Sequence, residues 1–251
     1  MTTIKNLVRI AALLAVAGSA QAQFSSTVTG ATDYDFRGIS LSGTDPVIQA
    51  SLDYAFDNGF AIGAWASNLD YGPGYDGNLE LDMYAGYTGE VNDTVSWNAG
   101  AVFYSYPGSN EQRPTAQRPV ARAEIEPYPE SYAGATIGPV ALKQWYSHDF
   151  GASSTAGSYT EANFTQPLPA NWSLLVHAGY SWGDYWKDDG PGGGELMDYS
   201  VGVAYVWDRF TVGAKLTGTD ASGDREVSNY YFANNLRVVG WISTTLPWAA
   251  K

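Results

Sequence analysis

The chain has 251 residues, with 13 Lys+Arg against 26 Asp+Glu for a formal net charge of −13, and no cysteine. Without cysteine there is no disulfide framework, no thiolate metal site and no cysteine nucleophile. So acidic a chain is repelled by phosphates, which removes nucleic acid from the expected partners. Aromatics reach 14%, with 18 Tyr and 9 Trp, yet no later segment carries the roughly 20 apolar residues of a membrane-spanning helix. Aromatic richness without apolar runs suits a β-barrel, whose rings gather at both membrane interfaces.

At the N-terminus, Lys5 and Arg9 are the only charges before Gln23. They precede a short apolar run, Ile10 to Ala17, and then Ala20-Gln21-Ala22. A positive flank, a short apolar core and small residues two apart predict a secretory signal cut after Ala22. The run is too short to anchor the chain across a bilayer. The expected organisation is a signal peptide over 1–22 and a single β domain over 23–251.

From Val28 onward, alternate residues read Val28, Gly30, Thr32, Tyr34, Phe36, opposite Thr27, Thr29, Ala31, Asp33, Asp35, Arg37. Alternate residues on a strand face opposite sides, so a strand running to Arg37 has one apolar and one charged face. Ile48 to Phe56 follows, with Gln49, Ser51 and Asp53 opposite. Asp57-Asn58-Gly59 is a hairpin signal, and a return strand runs from Phe60 to about Leu69. Leu79, Leu81, Met83, Ala85 and Tyr87 oppose Glu80, Asp82 and Tyr84. Val95 to Phe103 alternates against Asn98 and Tyr104. Strands near Glu130–Ile137 and Val140–Phe150 are less regular, and alternation leaves their facing open. Ser158 to Gln166, Trp172 to Trp182 (with Ser173, His177 and Ser181 opposite), Tyr199 to Tyr205 (with Asp198 and Ser200), and Phe210 to Leu216 (with Thr211 and Lys215) come next. The last strand is expected over about 232–246, with Arg237 on its polar side. The total is about twelve strands.

Alternation alone does not separate a soluble sandwich from a membrane barrel. The connections do. Those near Ser40–Asp45, Asp70–Asn78, Pro107–Pro129, Gly151–Gly157, Gly183–Glu195 and Asp220–Tyr230 are long. Between them, Asp57–Gly59, Gly89–Asp93, Gly138-Pro139, Pro167–Asn171 and Trp207–Arg209 are tight. Alternating long and short loops mark an outer-membrane barrel with short periplasmic turns, and a sandwich has no reason to sort its loops this way. The expected fold is therefore all-β: a transmembrane antiparallel up-and-down barrel of about 12 strands.

The chain also resembles the TorF-type family of outer-membrane porins. The likeness rests on Asp33-Tyr34-Asp35-Phe36-Arg37-Gly38-Ile39-Ser40, Pro46-Val47-Ile48-Gln49, Trp65-Ala66-Ser67-Asn68 and Leu81-Asp82-Met83-Tyr84-Ala85-Gly86-Tyr87. It continues through Tyr104-Ser105-Tyr106-Pro107-Gly108 and His177-Ala178-Gly179-Tyr180. The resemblance covers nearly the whole chain after the signal and implies an outer-membrane barrel with a pore; it supplies no solute. Two features depart from the family pattern. The last strand ends at Leu246 rather than at an aromatic residue, and the stretch Arg113 to Glu126 is longer and richer in Pro and Arg.

The expected lumen-lining residues are Asp33, Asp35, Arg37, Asp53, Glu80, Asp82, Tyr84, Tyr104, Glu130, Glu161, His177, Asp198, Lys215 and Arg237, with Lys143 beside them. The acidic surplus favours cations in a narrow pore. An equally weighted reading is that Arg37 and Arg237, on the first and last strands, pair with acids across the closing seam. Twelve strands should enclose a small channel, narrowed by Tyr84, Tyr104 and the loop after Pro107. Catalytic readings are weaker. Ser147-His148-Asp149 invites a triad, but successive side chains on a strand point apart. His177 is read as a hydrogen-bonded lumen residue in preference to an acid or base. The pairs Asp33/Asp35 and Glu80/Asp82 could hold hydrated Ca²⁺ or Mg²⁺, though a solvated wall is the commoner arrangement. Asp188 to Gly194 has neither calcium-loop nor phosphate-loop spacing. The expectation is a non-enzymatic, cofactor-free outer-membrane channel for small hydrophilic solutes, mildly cation-favouring. Its partners would be outer-membrane lipid, lipopolysaccharide, the barrel-assembly machinery and the solutes. A non-channel barrel with a structural or surface-binding role is the alternative.

Overall fold

The structure is a computed structural model that describes residues 24–112, 114, 121–190, 192–228 and 230–248. The expected signal segment and its cut site lie outside the described residues, as do Arg113 and most of the stretch after it. Twelve strands form one closed barrel: β1 Phe24–Ala31, β2 Val47–Ala55, β3 Phe60–Asn68, β4 Leu79–Asn92, β5 Val95–Ser105, β6 Tyr128–Ile137, β7 Val140–Ser147, β8 Gly157–Pro167, β9 Trp172–Trp182, β10 Leu196–Trp207, β11 Phe210–Thr219 and β12 Arg237–Leu246. Each strand pairs antiparallel with the next, and β1 closes on β12 from Ser26↔Leu246 to Ala31↔Trp241. Closure leaves no edge strand to aggregate.

The tight connections are 56–59, 93–94, 138–139, 168–171 and 208–209, all at the end that holds both termini of the barrel. The long ones, 32–46, 69–78, 106–127, 148–156, 183–195 and 220–236, share the other end. Outward residues are apolar: Met83 is 52% exposed, Val201 47% and Val238 66%. Toward the tight-turn end the outer wall carries paired rings, Tyr87 with Trp97 at 5.5 Å and Trp172 with Tyr205 at 5.0 Å between centroids. An exposed apolar surface of this extent needs a nonpolar surrounding rather than water.

Two expected boundaries are corrected. β1 stops at Ala31 instead of running to Arg37. Asp35–Phe36 folds back on Ile39–Ser40, with Phe36 opposite Ile39. The two residues between them, Arg37 (φ 51°) and Gly38 (φ 78°), are both left-handed. Two consecutive positive φ angles make a tight type I′ turn, whose twist matches that of its flanking strands. So the alternation through Asp33, Asp35 and Arg37 belongs to a separate small hairpin inside the barrel. The last strand begins at Arg237 rather than near Phe232. Tyr230 (φ 68°) and Phe232 (φ 58°) turn the chain there. Asn234 then donates its amide to the Val227 carbonyl and accepts from the Thr219 amide.

The interior is packed at the long-loop side. Val47, Ser67, Glu80, Tyr104, Glu130, Ser147, Tyr159, Ser181, Asp198, Thr217 and Val239 come one from each of β2 to β12, and none is more than 6% exposed. Each of eleven neighbouring strands thus contributes a buried inward side chain toward the long-loop side. Close packing asks for glycine on the wall where rings lie flat. At Gly179 a Cβ would collide with the Tyr159 hydroxyl and the Asp198 carboxylate.

Candidate functional site: the inner hairpin and the closed layer

The hairpin of residues 33–42 is built on Asp33. Its Oδ1 accepts from the Ser40 hydroxyl at 2.6 Å and the Ser42 hydroxyl at 3.0 Å. These bonds shape the base of the hairpin before it meets the wall. The wall then holds it at two places. On the seam side, Arg237 on β12 spreads its guanidinium over three acceptors, from the root of the hairpin to its turn. Nε donates to Asp33 Oδ2 (2.7 Å), Nη2 to Asp35 Oδ1 (2.5 Å) and Nη1 to the Gly38 carbonyl (2.7 Å). Lys215 on β11 adds 2.6 Å to Asp35 Oδ2, and Thr217 donates to the same oxygen at 3.0 Å. Only a planar fork of fixed donors makes such a set.

At the tip, Arg37 crosses to β6, halfway round the barrel from the seam, and Nη2 donates to Glu130 Oε2 at 2.7 Å. Tyr104 donates to that oxygen at 2.9 Å. The Arg37 guanidinium carbon lies 4.2 Å from the Tyr159 ring centroid, 4.7 Å from Phe36, 5.5 Å from Phe150 and 5.8 Å from Trp145. Desolvated cation–ring contacts of this kind contribute about 2 kcal/mol. Gly38 sits beside Arg37 with no room for a side chain, since a Cβ would come 2.7 Å from both Asp198 Cβ and Thr219 Cγ2. Gly38→Ala combines that clash with a φ of +78° and should lower stability by about 1–3 kcal/mol. Urea midpoints of the folded protein in detergent read this; an unchanged midpoint would show that the tip is loosely seated.

The other expected interior residues fall into three groups. Below the tip, His177 Nε2 lies 2.7 Å from Asp198 Oδ1 and Nδ1 lies 2.8 Å from Asn163 Oδ1. Tyr159 also reaches Asp198 Oδ1, at 3.1 Å. Glu161 accepts from Trp145 Nε1 at 2.8 Å, and Lys143 lies over the Tyr132 and Trp145 rings at 4.6 and 4.9 Å. Nearer the tight turns, Asp53 accepts from the Tyr84 hydroxyl and, at 2.7 Å, from Ser51. On β4, Glu80 and Asp82 are both buried, with Glu80 Oε2 and Asp82 Oδ1 lacking any partner. The structure therefore brings Asp33, Asp35, Arg37, Tyr104, Glu130, Lys215 and Arg237 into one network around the hairpin.

Two readings change. Arg237 does join acids at the seam, but Arg37 does not; it spans the barrel. The narrowing comes from the hairpin, which alternation disguised as the end of a strand. The overlooked signal was Arg37-Gly38 between Phe36 and Ile39, an X-Gly pair framed by apolar residues. Ser147-His148-Asp149 does not converge: His148 is exposed, and Asp149 Oδ1 accepts from the Ser154 amide at 2.6 Å. Among the described residues no group of three or more His, Asp or Glu is placed to hold a metal ion. Above the closed layer, a cavity of about 540 Å³ opens among the long connections, lined by Asp70, Tyr75, Asp76, Asn78, Arg122 and Tyr231 among others.

Twelve closed strands with an apolar outer wall and a charged interior define a porin-type up-and-down barrel. Residues 15–245 match the family described as bacterial proteins of unknown function, Gcw_chp, and the chain belongs to that family. No curated protein matches the chain. Among solved structures, it is similar to the KdgM porin at 11% identity and a TM-score of 0.51, covering 88% of this chain and 98% of that one. The NanC porin aligns at 8% identity and a TM-score of 0.51, over 88% and 98%. KdgM porin in complex with disordered oligogalacturonate aligns at 10% identity and a TM-score of 0.51, over 90% and 99%. At such identities the likeness carries the fold alone.

Proposed function

We propose that this protein is an outer-membrane porin-like channel for small hydrophilic solutes, closed at rest by its inner hairpin. In this reading residues 1–22 are the export signal and 23–251 the mature barrel, surrounded by outer-membrane lipid and lipopolysaccharide and inserted by the barrel-assembly machinery. The observation that carries it is the pairing of an apolar exterior with a charged interior in a closed barrel whose long and short loops sort to opposite ends. A soluble protein gains nothing from either feature, whereas a bilayer demands both. The narrower resemblance to TorF-type porins belongs to the same proposal, as does the lumen-lining role of the interior residues named above. No catalytic constellation is assigned.

The solute class follows from charge. Asp33, Asp35, Glu80, Asp82, Glu130 and Asp198 outnumber Arg37, Lys215 and Arg237 in and around the closed layer. Such an interior favours cations and neutral solutes. A polyanion such as the oligogalacturonate found with KdgM carries the wrong charge for it. Planar-bilayer recordings of protein purified from envelopes, with reversal potentials in a salt gradient, test this. Brief cation-favouring openings are expected, and a clear anion preference would overturn the charge argument. Intact mass of the same preparation reads the cut after Ala22. One observation favours the second reading, a non-channel barrel with a surface or structural role: the closed layer itself. A barrel that inserts yet stays silent after the hairpin is removed would establish that alternative.

A further inference from the structure

The loop-side cavity of about 540 Å³ falls within the range of roughly 300–1,000 Å³ typical of small-molecule sites. Its lining comes from three long connections: residues 69–78, the one that carries Pro107 and Arg122, and the one that carries Tyr231. The backbone fixes this frame. The Leu69 amide donates to the Asn78 carbonyl at 3.1 Å, and the Gly72 amide to Asp70 Oδ1 at 2.8 Å. Tyr75–Asp76 pairs in parallel with Ala123–Glu124. Ser109 Oγ ties the same two segments by donating to the Asp76 carbonyl and accepting from the Ile125 amide. Two tyrosines are braced by their neighbours. Tyr75 packs against the Tyr71 ring at 5.8 Å and the Phe232 ring at 6.3 Å, and Tyr231 abuts Gly72, where a Cβ would collide with its ring. Both rings line the cavity and stay 39% and 37% exposed.

We propose that this cavity binds a short neutral saccharide. A sugar ring offers an apolar face of C–H groups and a rim of hydroxyls, each able to donate and to accept. Tyr75 and Tyr231 supply surfaces for the face, since tyrosine joins an apolar body to a polar tip. Asp70 and Asp76 supply acceptors, Arg122 supplies donors and the Asn78 amide supplies both, so the rim finds partners of either kind. Charge selects against ions. Arg122 Nη1 lies 3.7 Å from Asp76 Oδ1, so these two offset one another. An organic cation would find both acids engaged, Asp70 by the Gly72 amide and Asp76 by Arg122, and an anion would find only that same arginine. Each carboxylate keeps lone pairs for a neutral hydroxyl. The site also adjoins the hairpin. Asp70 donates its amide to the Leu41 carbonyl at 2.9 Å and Ser40 donates to the Ala233 carbonyl at 2.8 Å. The connections that carry Asp70 and Tyr231 are thereby stitched to the hairpin's return limb. The assignment rests on the channel reading for its meaning, as capture of the solute above the gate, while binding itself needs no conduction.

The test is saturation-transfer NMR on the full barrel in an amine-oxide detergent, because sugar-headed detergents would compete. The probes are neutral trisaccharides of glucose, xylose and mannose, with trigalacturonate and choline as charged controls. Transfer to the C–H protons of at least one neutral trisaccharide is expected, with a millimolar dissociation constant and weaker binding of both controls. Tyr75→Ala and Tyr231→Ala should each weaken binding roughly tenfold, whereas Tyr75→Phe should keep most of it. Heat-modifiable gel migration checks the fold of each variant. If a ring variant does not fold, Asn78→Ala, which removes only an exposed side-chain amide, should weaken binding about threefold or more. No transfer to any neutral trisaccharide overturns the proposal. So does tighter binding of trigalacturonate or choline, or binding undiminished by loss of the rings. A barrel that binds the trisaccharide yet stays silent in a bilayer upholds the site and rejects only the channel reading.

Discussion

Replacing residues 33–42 with a short Gly/Ser turn is expected to convert a mostly closed barrel into a steadily conducting one. Eight-stranded barrels fill their interior with wall side chains, and sixteen-stranded ones leave a wide aqueous channel. Twelve strands fall between, so the contents of the lumen decide. Here those contents include Tyr34, Phe36 and Arg37, which contact Trp65, Tyr104 and Tyr159. Removing them leaves Arg237, Lys215 and Glu130 facing water, where hydration replaces their present pairing at small cost. Mean current per inserted barrel should rise roughly tenfold or more, because a water-filled path replaces a packed layer. Heat-modifiable gel migration checks that the shortened protein keeps its barrel. An intact but still silent barrel would reject the channel reading.

Arg237→Ala is expected to produce the largest loss of stability from a single substitution. It removes three charge-assisted hydrogen bonds at once and takes from Asp33 its cation. Both carboxylates are buried, at 4% and 6% side-chain exposure. Breaking such a pair from one side costs about 3–5 kcal/mol, since the remaining charge is stranded. Asp35 keeps Lys215, which points to the lower part of that range. Arg237→Lys should recover only part of the loss, because a single ammonium cannot serve three acceptors in different directions. Urea unfolding in detergent measures the change; a loss below about 1 kcal/mol would mean the root is solvated in solution. The same substitution should lengthen channel openings, tying latch strength to conduction.

Much of the barrel was legible in the sequence, and for identifiable reasons. Leu79-Glu80-Leu81-Asp82-Met83-Tyr84 alternates because lipid-compatible and interior faces follow the two-residue period of a strand. Asp57-Asn58-Gly59 and Gly138-Pro139 mark tight turns through backbone preferences that act locally. The number of strands follows from counting such segments. The segment around Arg37 misled, because Asp33, Asp35 and Arg37 alternate as a strand would while Arg37-Gly38 reverses the chain. Period-two patterning does not distinguish a wall strand from a hairpin lying inside the wall.

Local chemistry along the chain thus determined the number of strands, the inward and outward faces of the regular ones, and the sorting of the loops. Pairing across the barrel was decided only by the tertiary structure. Arg37 meets Glu130 across 93 positions of sequence, and Arg237 meets Asp33 across 204. No local pattern encodes such contacts, because closing the barrel is what sets β6 opposite the hairpin tip and β12 beside its root. The same closure leaves Glu80 and Asp82 buried with no cation paired to them among the described residues, a property of the packed layer and of no single segment.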